Sequence, residues 1–168
     1  MSPILVAGIG NIFRGDDAFG VEVARLLSRR ALPDGVKLVD FGIRGIDLTY
    51  ALLDGYEAAV LIDAAQRGEA PGTVSVIEPA PAADEPAPED LLLSPHELDP
   101  AKVLRLVAAL GGKRPRTLLV ACEPLTFGGE DGAMGLSPPV AASLNAAADA
   151  VEQLIAELIE ASNRGART

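Results

Sequence analysis

Short, largely apolar runs alternate with helical periodicities along most of this chain. Five such runs of four to six residues predict strands over residues 4–8, 36–41, 58–63, 73–77 and 118–121. Apolar residues at helical spacing predict helices over 17–31, 46–53, 100–110 and 138–160. Strands that are apolar on both faces are typical of a parallel sheet covered by helices on each side. The pattern therefore predicts an α/β fold with a mainly parallel sheet sandwiched between helices.

We expect one domain over residues 1–168, with two segments outside its packed core. A chain of 168 residues is long enough for a single hydrophobic core. Residues 79–90 are rich in Pro, Ala, Asp and Glu, a composition that buries too little apolar surface to fold alone. We therefore predict a flexible insertion over 79–92, and we also expect a disordered tail over 161–168.

The charge of the chain argues against two classes of partner. Its formal net charge of -10 disfavours nucleic acid, because phosphate binding needs a basic surface. The same charge disfavours an anionic membrane surface. Gly8 and Gly10 interrupt the only candidate signal sequence, and no apolar run approaches the roughly 18 residues of a membrane span. We therefore expect a cytoplasmic protein.

Cys122 is the only cysteine, so an internal disulfide and a thiolate zinc cluster are excluded. It ends a predicted strand, where an inert, buried thiol is the usual case. Once the core residues are assigned, no large apolar stripe is left over, and we expect a monomer.

Acidic side chains follow three predicted strands at the point where each strand ends. Asp16 and Asp17 come after the first strand, and Asp40 and Asp63 end the second and the third. A single acid at such a place is usually a helix cap or a turn former. Because the carboxyl ends of parallel strands meet at one edge of a sheet, acids at three of them favour a shared site.

His96 is the only histidine and lies in a polar loop. Alone, it is typical of a surface or capping residue. Together with the carboxylates, its imidazole makes a donor set suited to nickel, zinc, copper or iron. A closed structural zinc site is not expected, since no thiolate lies nearby in the sequence. Such a donor set leaves coordination positions open for groups from a partner.

Other sequence templates fit less well. The segment Gly8-Ile9-Gly10 lacks the third glycine of the dinucleotide fingerprint, since Phe13 stands in its place. Asp40 could still serve as the ribose-binding acid, so a dinucleotide-binding α/β protein is one alternative. The chain has no G-x-S-x-G, H-E-x-x-H or P-loop motif.

Taken together, five segments resemble the hydrogenase maturation proteases, which trim a C-terminal peptide from the large subunit of nickel-iron hydrogenases. The segments are GIGNIFRGDDAFG (8–20), DFGIRG (40–45), LIDAA (61–65), SPHEL (94–98) and GLSPPV (135–140). They follow the order and spacing of that family and cover most of the chain. One departure is the loop Asp40-Phe41-Gly42-Ile43, where the family usually has Asp-Gly-Gly-Thr. That loop is associated with substrate choice, so the hydrogenase served is left open.

The resemblance implies a twisted five-stranded sheet with one antiparallel strand. It also implies metal binding by Asp17, Asp63 and His96, the metal being nickel already inserted in the substrate. We assign Asp40 and Gly42 to a catalytic loop that positions the scissile segment, with Asp40 as a possible general base.

We therefore predict an endopeptidase, aspartic-type or metal-dependent, that removes the C-terminal extension of a nickel-loaded hydrogenase large-subunit precursor. Nickel borne by the substrate is the expected cofactor, and other divalent metals could substitute in vitro. Because the chain has no recognisable nucleophile, a non-catalytic maturation chaperone that binds nickel or peptide is a second alternative.

Overall fold

The computed structural model describes residues 3–79 and 99–167 and shows a single α/β domain. Within these residues the strands are β1 (Ile4–Ile9), β2 (Val36–Gly42), β3 (Ala58–Ala64), β4 (Val74–Ile77) and β5 (Arg116–Cys122). The helices are α1 (Phe19–Leu27), α2 (Gly45–Leu52), α3 (Pro100–Ala109), α4 (Pro138–Ala141) and α5 (Leu144–Gly165). A single 3-10 turn (Gly15–Ala18) leads directly into α1. Over the same residues, no helix has the length and apolar character needed to cross a membrane.

The strands form one sheet in the order β2-β1-β3-β5-β4. β1 pairs in parallel with β2 and with β3, and β3 pairs in parallel with β5. β4 alone runs antiparallel, along β5. The predicted mainly parallel five-stranded sheet is therefore confirmed. β2 and β3 lie on opposite sides of β1, so the strand order reverses between β1 and β3. This is the topological switch point of the sheet.

The core occupies both faces of this sheet. β1 and β3 are buried along their whole length, and successive side chains of a strand point to opposite faces. Ile4 and Val6 pack with residues of α1 and α5, while Leu5 and Ala7 pack with residues of α2 and α3. Burying each large aliphatic side chain contributes about 1.5–3 kcal/mol, which explains why these two strands are apolar throughout.

Helix α1 lies unusually close to the sheet at Gly20. A Cβ atom at this position would lie 2.7 Å from Ile9 N and closer still to the carbonyl oxygens of Ile9 and Ile62. Only a residue without a side chain fits there. This contact fixes the start of α1, and with it the preceding 3-10 turn, over the ends of β1 and β3.

The first helix is shorter than the predicted range of 17–31. Residues 15–18 form the 3-10 turn, and α1 ends at Leu27. The Ser28 hydroxyl donates to the Arg25 carbonyl at 2.5 Å, and Arg30 N–H donates to the Leu27 carbonyl at 3.0 Å. These bonds close the last turn and compete with continuation of the helix.

The last predicted helix, 138–160, is divided into α4 and α5. Ser143 lies at the break, where its hydroxyl donates to the Val140 carbonyl at 2.6 Å. The apolar pattern continues across the break, which is why the sequence predicts one helix.

The predicted tail over 161–168 is wrong for residues 161–165, because α5 continues to Gly165. Extending an existing helix adds one backbone hydrogen bond for each residue ordered. The Ser162 hydroxyl also donates to Glu57 Oε2 at 3.3 Å. The predicted insertion over 79–92 lies outside the described residues, apart from Pro79.

Candidate functional site

Asp17 and Asp63 lie at the carboxyl edge of the sheet, next to the switch point between β1 and β3. Asp63 belongs to β3 and is only 6% exposed. Asp17 lies in the 3-10 turn and is half-buried, and its Oδ2 accepts a hydrogen bond from Asn11 N–H at 3.0 Å. The fold therefore brings together two of the three predicted metal ligands.

Burial raises the pKa of both carboxylates. Burial raises the pKa of Asp63 well above its usual value, and the negative charges of Asp17 and Asp99 raise it further against a hydrogen bond from Ala64 N–H. Burial also raises the pKa of Asp17, although the Asn11 hydrogen bond and the Arg14 charge oppose this. A cation between Asp17 and Asp63 would favour the ionised form of both.

His96, the third predicted ligand, lies outside the described residues. Within residues 3–79 and 99–167, no group of three or more His, Cys, Asp or Glu side chains is placed to hold a metal ion. Asp17 and Asp63 alone would leave most coordination positions to other groups. The ligand set of Asp17, Asp63 and His96, and nickel as its metal, therefore stay predictions.

The predicted catalytic loop lies beside the glycine turn that follows β1. Gly42 pairs with Ile9 across an irregularity in the ladder, and its carbonyl accepts a hydrogen bond from Gly10 N–H at 2.9 Å. Asp40 is exposed, and its Oδ1 accepts a hydrogen bond from Gly42 N–H at 2.9 Å. Gly42 has φ +55°, which favours glycine. Asp40 thus shapes its own turn, while its catalytic role stays a prediction.

Asp16, which precedes Asp17 in the 3-10 turn, is fully buried. Its carboxylate accepts hydrogen bonds from Leu125 N–H at 2.8 Å, Thr126 N–H at 3.1 Å, Ser137 N–H at 2.7 Å and the Ser137 hydroxyl at 2.8 Å. Burial raises the pKa of Asp16, but these bonds outweigh burial and leave the pKa below its usual value. Asp16 is therefore the anchor of the loop between β5 and α4.

The glycines after β1 are filled by the chain itself. A Cβ atom at Gly8 would lie 2.6 Å from the Gly20 carbonyl oxygen and 2.7 Å from Ala24 Cβ. One at Gly10 would overlap the Asp17 carbonyl oxygen. These glycines thus make room for α1 and the 3-10 turn rather than for a pyrophosphate. The dinucleotide alternative loses the feature that suggested it.

Sequence reasoning missed two acids near this edge. Asp99 caps α3, with its Oδ1 accepting Ala101 N–H at 2.9 Å, and its charge reaches Asp63. The pair Asp99-Pro100 at a helix start is a signal that could have identified it. Glu123 is buried and accepts Arg67 N–H at 2.7 Å, a long-range contact with no local signal. The prediction of a buried Cys122 is confirmed.

Comparison with known proteins gives the family. A sequence model of the hydrogenase maturation protease family matches residues 21–154, which is most of the chain. The chain belongs to the hydrogenase maturation protease family. The resemblance drawn from the five sequence segments is thereby confirmed.

Relatives in this family match over most of their length. The hydrogenase expression/formation protein HupM of Azotobacter chroococcum is 35% identical over 148 residues, 86% of this chain and 67% of that protein. The hydrogenase 2 maturation protease of Escherichia coli is 31% identical over 160 residues, 94% of this chain and 91% of that protein. Among solved structures, the hydrogenase maturating endopeptidase HybD from E. coli superposes with a TM-score of 0.70 at 28% identity, covering 92% of this chain and 93% of that chain.

Membership of the hydrogenase maturation proteases supports a peptidase. The range matched by the family model includes Asp40, Asp63 and the position of His96, and begins after Asp17. The assignment of Asp17 to the site therefore depends on the geometry described above, in which the 3-10 turn is held against β1 and β3.

Proposed function

We propose that this chain is an endopeptidase that removes the C-terminal extension of a nickel-iron hydrogenase large-subunit precursor, with the precursor's nickel as the recognition element. The observation that carries the proposal is the meeting of Asp17 and Asp63 at the switch point of the sheet, in a chain of this family. His96 is proposed as the third group that contacts the nickel.

Nickel enters this reaction as part of the substrate. Two carboxylates next to each other repel, and a dication between them replaces repulsion with attraction. Because Asp63 is nearly inaccessible to water, that attraction is screened less than at the surface. We assign the nickel a docking role, in which it places the precursor's C-terminal segment at the site.

The loop after β2 is proposed to position the scissile segment. Asp40 is exposed beside the glycine turn, and Arg44 stabilises the loop by donating to the Asp40 carbonyl oxygen. An exposed carboxylate at this edge can orient a peptide or accept a proton from the attacking water.

The direct experiment mixes the purified protein with nickel-loaded and nickel-free precursor and measures the precursor mass. We expect a shortened product only from the nickel-loaded form. Equal cleavage of both forms would show that nickel is not the recognition element. Binding of the precursor without shortening would instead support the non-catalytic chaperone.

Site variants locate the recognition step within the molecule. Asp17→Asn, Asp63→Asn and His96→Ala should each lower processing by at least about tenfold, the scale of losing one group that holds a metal. Asp34→Asn is the matched control, because Asp34 is an exposed acid in the turn before β2, at the opposite edge of the sheet. Undiminished processing by His96→Ala would remove His96 from the site.

A further inference from the structure

Three exposed apolar side chains come from segments that flank the 3-10 turn or hydrogen-bond to it. Phe13 is 61% exposed, Leu125 57% and Met134 71%. Their segments are bonded to one another, because Ala133 N–H donates to the Phe13 carbonyl at 2.9 Å and Leu125 N–H donates to Asp16 Oδ2 at 2.8 Å. We call Phe13, Leu125 and Met134 the rim platform.

The rim platform is held in place by groups of the domain interior. The buried Asp16 carboxylate binds the loop at both ends, at Leu125 and at Ser137. The guanidinium of Arg14, just before the 3-10 turn, lies over the ring of Phe127 in the loop, 5.6 Å from its centroid. Large exposed apolar side chains gathered in one region of a surface are typical of interaction surfaces.

The platform adjoins the candidate site. Asp17 follows Asp16 in the 3-10 turn, and Asp16 accepts a hydrogen bond from Leu125 of the platform. A protein that covers the platform is therefore close to Asp17. Beside Met134, a tight turn closed by Gly132 N–H and the Gly129 carbonyl at 2.9 Å presents the exposed acids Glu130 and Asp131. The surface is therefore apolar with an acidic margin.

We propose that the rim platform docks the folded body of the hydrogenase large-subunit precursor and thereby delivers its C-terminal segment to Asp17. This inference rests on the proposed function. The acidic margin and the net charge of -10 fit a partner patch that is apolar with basic groups at its edge. A second copy of this chain would bring the same exposed acids, Glu130 and Asp131, against this face, so like-charge repulsion opposes a dimer there.

The experiment compares the triple variant Phe13→Ser/Leu125→Ser/Met134→Ser with the control Val76→Ser/Leu110→Ser. The control side chains are also large, apolar and exposed, but they lie on β4 and after α3. Three quantities are measured for each protein: the Kd for the nickel-loaded precursor, and the kcat and KM for its processing. We expect the triple variant to raise Kd and KM at least about tenfold with kcat nearly unchanged, since anchor residues dominate binding. The control should match the wild type.

The outcomes separate this inference from the proposed function. Unchanged Kd and KM in the triple variant, with normal processing, would overturn the docking role and leave the peptidase intact. Weakened binding by the triple variant without processing by any protein would support docking and overturn the peptidase. Sedimentation velocity provides a further check. A wild type that is a dimer and a triple variant that is a monomer would show that a second copy occupies the platform, and would overturn the inference. Thermal unfolding of all three proteins should agree closely, since exposed substitutions change stability little.

Discussion

Replacing Gly20 by alanine sets two opposing effects against each other. Alanine is the better helix former, and in an exposed helix the change would add up to about 1 kcal/mol of stability. At Gly20, however, the new methyl group would meet Ile9 N at 2.7 Å and two carbonyl oxygens at shorter range. Ordinary van der Waals contact begins at 3.4 Å, so the methyl and Ile9 N would have to separate by at least about 0.7 Å.

The steric effect should dominate, because the atoms in the way belong to the backbone of β1 and β3. Overpacking a core costs about 1–3 kcal/mol, and the upper part of this range applies where no side chain can rotate away. Subtracting the helix-propensity gain, we expect Gly20→Ala to lower the free energy of unfolding by about 2 kcal/mol. For a domain of this size that corresponds to a Tm lower by about 4–8 °C.

Urea and thermal unfolding followed by circular dichroism measure both quantities. Gly165→Ala is the matched control, because Gly165 also lies in a helix and a methyl there meets nothing within 4 Å. The control should leave stability unchanged or slightly increased. A Gly20→Ala protein as stable as the wild type would refute the close approach of α1 to the sheet.

Three further predictions concern buried groups. Asp16→Asn should lower the free energy of unfolding by about 3 kcal/mol at pH 7, because an amide has one acceptor oxygen where the carboxylate of Asp16 has two. The folded state lowers the pKa of Asp16, so this loss of stability should shrink as the pH falls below about 4. Unfolding measured from acid to neutral pH tests this, and a loss that stays constant with pH would contradict it. Asp63→Asn should instead raise the free energy of unfolding at neutral pH. The folded state raises the pKa of Asp63, so ionisation of this carboxyl destabilises the folded protein as the pH rises above about 4. In chelator-treated protein its Tm should therefore exceed that of the wild type at pH 7 and converge with it at pH 4, whereas a lower Tm at pH 7 would contradict the burial of a charge. Burial raises the pKa of the Cys122 thiol, so iodoacetamide should label it only after unfolding in urea, and stoichiometric labelling of the native protein by mass spectrometry would disprove its inaccessibility.

The parts of the fold that the sequence predicts well are those with local causes. β1 and β3 are apolar on both faces because both faces are covered, and Asp63 joins the site because parallel strands end at the same edge. Asp17 follows for the same reason. The 3-10 turn is different, because a hydrophobic pattern does not distinguish it from the first turn of a helix.

The role of Asp16 has no local signal. Its hydrogen-bond donors lie 109 to 121 residues further along the chain, and a loop of mixed composition gives no indication of what it will contact. The close approach at Gly20 is equally non-local, since its partners come from two strands. Asp99 is the contrasting case, because its position before Pro100 was a readable helix cap.

The bonds from Asp16 to Leu125 and Ser137 also set the moment at which this protein can begin to work. A ribosome adding about 5–20 residues per second takes roughly 6–24 s to cover the 121 residues between Asp16 and Ser137. Until then Asp16 lacks the two donors of Ser137, and the loop that keeps the turn in place is incomplete. We therefore expect the newborn polypeptide to be inactive until Ser137 has been translated and has left the ribosome.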